Sequence, residues 1–211
     1  MTTNARFWDD MAERYSRRPW PNPDSTQRKL AVMRGLIRPQ DRVLDIGCGT
    51  GTIALELAPG AAHVSGLDIS GEMVKISRQK ASAGQVANVD FRQGSVEEGL
   101  GAFSAGSLDV VSAFNILHLT RDWVRILVRV FELLKPGGHF VSSTPCLGNT
   151  RLPYRPMLAI LRWLGKAPEV EILSTPILIQ QVREAGFVQI EQPDVGADKT
   201  TVFLVARRPK A

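Results

Sequence analysis

The run VLDIGCGTG, residues 43–51, decides the fold. It begins as a short apolar stretch broken by one acid, Asp45, and continues with Gly47, Gly49 and Gly51 at every second position. A buried strand that ends on bare backbone opens a βα turn, the place where open parallel sheets bind ligands. Glycine there removes the Cβ that would block close approach.

Outward from this run, strand-like and helix-like segments alternate, as a parallel sheet covered by helices demands. Strands are predicted at 42–47, 63–69, 89–94, 108–114 and 138–144. A helix over 52–58 is stopped by Pro59-Gly60; another over 72–83 has Ser70 as its N-cap and Gly84 at its end. In RDWVRILVRVFELLKPGG, Trp123, Ile126, Leu127, Val130, Leu133 and Leu134 line one helical face, with Pro136-Gly137-Gly138 as terminator. A last helix at 177–185 precedes strands at 187–192 and 200–208, joined by a linker suited to a hairpin. The expected fold is α/β: a doubly wound, mostly parallel seven-stranded sheet with helices on both faces and a C-terminal antiparallel hairpin. No repeat or composition break divides the chain, so 1–211 reads as one domain, with a helical cap over 1–40, a ligand-binding core over 41–144, a lid or acceptor-pocket insertion over 145–176, and the final helix and hairpin over 177–211.

Composition narrows the function. With 211 residues, 44% hydrophobic and 22% charged, the chain can bury a sizeable core. The net charge of +5 is mild and spread out, which disfavours nucleic acid; the small groups Arg17-Arg18 and Arg207-Arg208-Lys210 read as solvated surface. MTTNARFWDD has no basic-then-apolar leader, and no apolar run approaches the roughly 18 residues of a membrane span. A cytoplasmic protein without stable membrane insertion is expected. Cys48 and Cys146 supply no disulfide framework, and the three histidines show no metal-ligand spacing.

The next strand ends in Asp68, 17 residues after Gly51, where a carboxylate can accept both hydrogen bonds of a ribose diol. A nucleoside-bearing ligand is implied. The dinucleotide pattern G-x-G-x-x-G is not met: its third glycine is Thr52 counted from Gly47, or Ala54 counted from Gly49. Asp45 would repel a pyrophosphate and welcome an ammonium group.

These residues resemble the class I methyltransferases that use S-adenosylmethionine. VLDIGCGTG resembles that family's first motif, so the resemblance implies that Gly47, Cys48, Gly49 and Gly51 run beneath the methionine part of the cofactor. GLDIS resembles the second, implying that Asp68 holds the ribose, that Ile69 packs on adenine and that Met73 lies nearby; LLKPGG resembles the turn before the fifth strand. The resemblance covers 42–144 and, less specifically, the final hairpin. Where the family often places an acid for the adenine amino group, this chain has Gly94-Ser95-Val96, leaving the Ser95 hydroxyl and the Val96 backbone to read the ring.

Chemistry is expected after the fourth strand, in FNILHLTRD, which passes close to the transferable methyl in the resembling family. Asn115 would face the methionine part, and His118 is the candidate general base. His63 and His139 sit at strand starts and read as structural. In FWDDMAERYSRRPW, Phe7, Trp8, Met11 and Tyr15 fall at helical spacing, and the resemblance puts Tyr15 near the methionine carboxylate or the methyl. PMLAILRWLGK is apolar on nearly every side, so it is buried in the core, covered by a partner chain as in a homodimer, or forms the wall of a pocket. A small, largely apolar acceptor is favoured. The rival classes are an NAD-dependent oxidoreductase and a non-catalytic cofactor-binding protein of the same fold.

Overall fold

The computed structural model describes residues 3–150, 152–164 and 167–210. Met1 and Thr2 of the opening run, Gly165 and Lys166 at the end of PMLAILRWLGK, and Arg151 and Ala211 lie outside them. In chain order the elements are helices α1 (Thr3–Arg17) and α2 (Pro23–Leu36), then β1 (Arg42–Ile46), α3 (Thr52–Leu57), β2 (His63–Asp68), α4 (Gly71–Ala83), β3 (Val89–Gln93) and α5 (Val96–Gly99). They continue with β4 (Leu108–Phe114), α6 (Trp123–Leu133), β5 (Leu134–Pro145), α7 (Tyr154–Trp163), α8 (Thr175–Glu184), β6 (Val188–Glu191) and β7 (Thr201–Arg207).

The strands form one seven-stranded sheet in the order β3-β2-β1-β4-β5-β7-β6. The first five pair in parallel, and β7 runs antiparallel between β5 and β6. Each face is covered by its own apolar layer. On one side Leu44, Ile46, Val111 and Phe140 pack with Ile126, Leu127 and Val130 of α6 and Leu178 and Val182 of α8. On the other Val43, Val64, Val110 and Val141 pack with Leu30 and Met33 of α2 and Ala54 and Leu57 of α3. The side-chain alternation of β1, with Val43 facing one layer and Leu44 and Ile46 the other, is that of a strand buried on both faces.

β2 and β4 flank β1 on opposite sides, so the sheet reverses its winding there and the switch point lies at the carboxyl end of β1. On that edge the end of β4 stands next to it and the end of β5 one strand further.

Three expectations are corrected. Pro136-Gly137-Gly138 does not follow α6 directly but lies within β5, which begins at Leu134; Pro136 drives Lys135 into extended backbone, and Gly137, at φ +83°, absorbs the register shift opposite Leu108–Val110. Arg207 and Arg208 are not merely solvated. The Arg208 guanidinium donates to the carbonyls of Phe131, Glu132 and Leu134, closing the carboxyl end of α6, and Arg207 donates to Gly137 O. Finally, α7 is not buried in the core: Met157 is 46% exposed, Ile160 60% and Trp163 85%. Core burial, one of the three readings of this segment, is therefore excluded.

Candidate active site

The glycine turn is welded to the end of β2. Gly47 and Cys48 donate to the Leu67 carbonyl at 2.7 and 3.1 Å, and the Gly49 amide donates to Asp68 Oδ2 at 2.8 Å. The other carboxylate oxygen of Asp68 accepts from the Ser70 amide at 2.9 Å. Asp68 is thus held by backbone donors, the Gly49 and Ser70 amides foremost, with acceptor capacity left for a diol.

The three glycines serve different ends. All have positive φ, but a Cβ on Gly47 would strike Ile116 and one on Gly51 would strike Phe91 and Ser77, each at 2.7 Å. At Gly49 the nearest atom is the Tyr15 ring at 3.8 Å. Close packing within the chain therefore requires two of the glycines, and only Gly49 faces an opening.

Tyr15 reaches that opening from α1, which docks on α4 through Trp8, Ala12, Met73 and Ile76. Asp9 fixes the dock: its Oδ1 accepts from Ser70 Oγ at 2.6 Å and from the Glu72 amide at 3.1 Å, a carboxylate at a helix amino end. Beside Tyr15 runs a cleft of about 1000 Å³ lined by Met11 and Arg14 of α1 and by Arg18 just beyond its end. Tyr15 is 44% exposed, yet desolvation of its phenol and the negative charges of Asp68 and Asp45 raise its pKa.

Asp45 is 2% exposed, and its carboxylate accepts from Ser112 Oγ at 2.7 Å. Burial, opposed by that hydrogen bond and aided by Asp68, lifts its pKa to about 7. Asp68, 8% exposed, is also raised, chiefly by burial and against its backbone hydrogen bonds. Among the described residues neither carboxylate has an ion-pair partner. Two nearby buried carboxylates without a cation make a site that calls for positive charge and repels phosphate.

The remaining predicted residues are distributed around this centre. Ile69 is half-buried after β2, and Met73 lies 2% exposed in the α1–α4 seam. Ser95 caps α5, its Oγ accepting from the Glu98 amide at 3.2 Å, and Val96 is buried behind it. Cys48 is buried, and desolvation with Asp45 and Asp68 pushes its thiol well above its ordinary range, so it is an unreactive packing residue. Asn115 is exposed just after β4 at φ +56°, its backbone N–H donating to Ser143 O at 2.8 Å. His118 follows on a short 3₁₀ turn. Burial pulls its pKa to about 4, Nδ1 has no partner among the described residues, and its carbonyl accepts from the Glu171 amide at 2.7 Å. Such an imidazole is a weak proton acceptor at neutral pH.

A family model described as "Methyltransferase domain" matches residues 37–171. The chain belongs to this family. With the fold it places the protein among the class I S-adenosylmethionine-dependent methyltransferases, as the first and second motifs lead one to expect. It is 38% identical over 103 residues to the ubiquinone biosynthesis O-methyltransferase of Acinetobacter baylyi, covering 49% of this chain and 43% of that one. To the demethylmenaquinone methyltransferase of Lactococcus lactis it is 28% identical over 209 residues, covering 88% and 79%. The chain spans about half the length of several of the curated relatives it matches. Among solved structures, phosphoethanolamine N-methyltransferase 2 of Haemonchus contortus, in complex with S-adenosyl-L-methionine, superposes with a TM-score of 0.72 at 17% identity, covering 87% of this chain and 53% of that one. The [4+2]-cyclase SpnF superposes at 0.71 with 18% identity, covering 92% and 85%, so the fold alone does not fix the reaction.

The residues present fit S-adenosylmethionine: a Cβ-free opening at Gly49, a carboxylate in Asp68 able to accept from a diol, and in Asp45 a buried carboxylate suited to an ammonium. Sequence reasoning missed Ser112, Asp9 and Lys29 of α2, whose Nζ donates to Ser143 Oγ at 3.0 Å. Ser112 had a signal, as a polar residue inside the buried run LDVVSAF. For Asp9 and Lys29 no local pattern exists, because their partners lie 61 and 114 residues away.

Proposed function

We propose that this chain is an enzyme that transfers the methyl group of S-adenosylmethionine to a small, largely apolar acceptor of the quinone-precursor class. The observation that carries this reading is the pair of uncompensated buried carboxylates, Asp45 and Asp68, beside the opening at Gly49. The names of the quinone-biosynthesis relatives support the acceptor class.

When bound, the cofactor supplies an electrophilic methyl on a sulfonium. Asp68 would hold the ribose hydroxyls with the lone pairs its backbone bonds leave free. Asp45 would take the ammonium, while the peptides of Gly47, Cys48, Gly49 and Gly51 lie beneath the methionine part. Ile69, backed by Met73, together with Ser95 and Val96 would frame the adenine; Asn115 and Tyr15 would close over the methionine end. Alignment and exclusion of water are then the chain's main work, and alignment alone contributes about 7–11 kcal/mol. His118, neutral at physiological pH, would serve as a hydrogen-bond acceptor rather than as a strong base.

The same proposal takes 1–211 as one cytoplasmic domain acting on a small molecule and not on nucleic acid, with 1–40 as cap and 145–176 as the acceptor-side insertion. Incubation with methyl-labelled cofactor and a panel of demethylated ubiquinol and menaquinol precursors with shortened tails tests it. Label in the solvent-extracted acceptor is the expected result. Retention of all label in the cofactor with every acceptor, despite measurable cofactor binding, would overturn this acceptor class and favour the non-catalytic reading.

A further inference from the structure

At the carboxyl edge of the sheet, three cross-strand neighbours stand in a row: Phe114 of β4, Ser143 of β5 and Phe203 of β7. Directly opposed residues point to the same face, and the two rings, on either side of Ser143, meet edge-on with centroids 6.0 Å apart. Phe114 is only partly buried, whereas Ser143 and Phe203 are 1% and 3% exposed.

Onto this row comes Lys29 from α2. Its Nζ donates to Ser143 Oγ at 3.0 Å, its one hydrogen bond among the described residues. An ammonium has three donors, so two stay open. Asp198 of the β6–β7 linker is the one carboxylate whose charge is felt there, and it closes no ion pair with Lys29 among the described residues. The Ser143 carbonyl, in turn, accepts from Asn115, so the lysine sits one strand from the segment that borders the glycine turn.

We infer that Lys29 and Ser143 bind the ionised hydroxyl of an aromatic acceptor whose ring lies against Phe114. This rests on the reading of the chain as a methyltransferase and names the acceptor more closely: a phenol or quinol, bound as its anion. The O–H bond breaks, the proton goes to water, and the electron pair stays on the phenolate oxygen, paired with the ammonium. Partial burial supports the assignment, since desolvation lowers the lysine pKa and an anion restores what solvent no longer supplies. Lys29 is thus a positioning and activating residue on the acceptor side, whereas Asp45 and Asp68 serve the cofactor.

The test uses 4-nitrophenol as probe, titrated by its visible phenolate absorbance against the full chain saturated with S-adenosylhomocysteine. Expected is a fall of about one unit in the apparent pKa of the bound phenol, tenfold in ionisation. Lys29→Met should abolish the shift, Lys29→Arg should keep most of it, and Ser143→Ala should reduce it; if the methionine variant does not fold, the other two still decide. Ionisation that is unchanged in Lys29→Met and Ser143→Ala overturns the inference, as does failure of the wild-type complex to bind the probe. Absence of heat on adding S-adenosylhomocysteine itself, measured beforehand, would instead strike the cofactor reading.

Discussion

The backbone amide of Gly49 donates to the carboxylate of Asp68 across 2.8 Å, joining the glycine turn after β1 to the acid that ends β2. The bond holds the Gly49 peptide beneath the opening that Tyr15 faces. On the proposed reading, the ribose contact and the turn geometry depend on the same side chain.

The division of labour among the glycines yields a paired prediction. Gly51→Ala meets Phe91 and Ser77 at 2.7 Å in a left-handed backbone, so overpacking of about 1–3 kcal/mol adds to about 1–2 kcal/mol of strain. Thermal melting should fall by on the order of 10 °C. Gly49→Ala carries the strain alone and should melt only a few degrees lower, but its methyl enters the opening, and affinity for S-adenosylhomocysteine should fall by about tenfold or more. Equal melting losses for the two variants would contradict this.

Asp9 ties α1 to the amino end of α4. Asp9→Ala removes its bonds to Ser70 Oγ and the Glu72 amide, about 1.5–3 kcal/mol for a charged acceptor, and frees the helix that carries Tyr15. Hydrogen exchange in 3–17 should quicken, and S-adenosylhomocysteine should bind about 3- to 10-fold more weakly. Unaltered exchange in this helix would show that the aromatic seam alone holds it.

Asp45 has its folded pKa raised from 3.8 to about 7, so the folded state holds a proton that the unfolded chain releases. Its contribution to stability is present below pH 4 and is lost as pH rises from about 4 to 7. In urea titrations, Asp45→Asn should gain on the wild type as pH goes from 5 to 7. An ammonium ligand favours the ionised carboxylate. Affinity for S-adenosylhomocysteine should therefore rise from pH 6 to 8 in the wild type and stay flat in Asp45→Asn.

His118 has the opposite linkage. Its pKa falls from 6.5 to about 4 on burial, so its neutral form is stable above the unfolded value and that stability is lost as pH falls through this window. His118→Gln should flatten this loss. Because the imidazole is already neutral at pH 6, the pH profile of methyl transfer between pH 6 and 8 should not change shape. Disappearance of a limb near pH 6.5 in the variant would restore the general-base role.

What was legible in the sequence was what local spacing encodes. The alternation of runs gave the five parallel strands and the hairpin, and Ser70 and Gly84 bounded α4 as their chemistry requires. The glycines marked the turn, but residue type does not say which glycine faces a ligand; that depends on Ile116, Phe91 and Ser77 arriving from other elements. Likewise, nothing in PMLAILRWLGK reveals that Met157, Ile160 and Trp163 remain exposed, because exposure depends on what the rest of the fold packs against them. Imidazole at position 118 suggested a base, and only its burial shows how weak a base it is.

Titration calorimetry with S-adenosylhomocysteine probes the cofactor site most directly. The wild-type chain should bind one equivalent, and Asp68→Ala, which loses both the diol acceptor and the anchor of Gly49, should bind at least tenfold more weakly, as charge-assisted bonds of about 1.5–3 kcal/mol each are removed. No heat with the wild type, or the same affinity in both, would mean that Asp68 and the glycine turn hold something else.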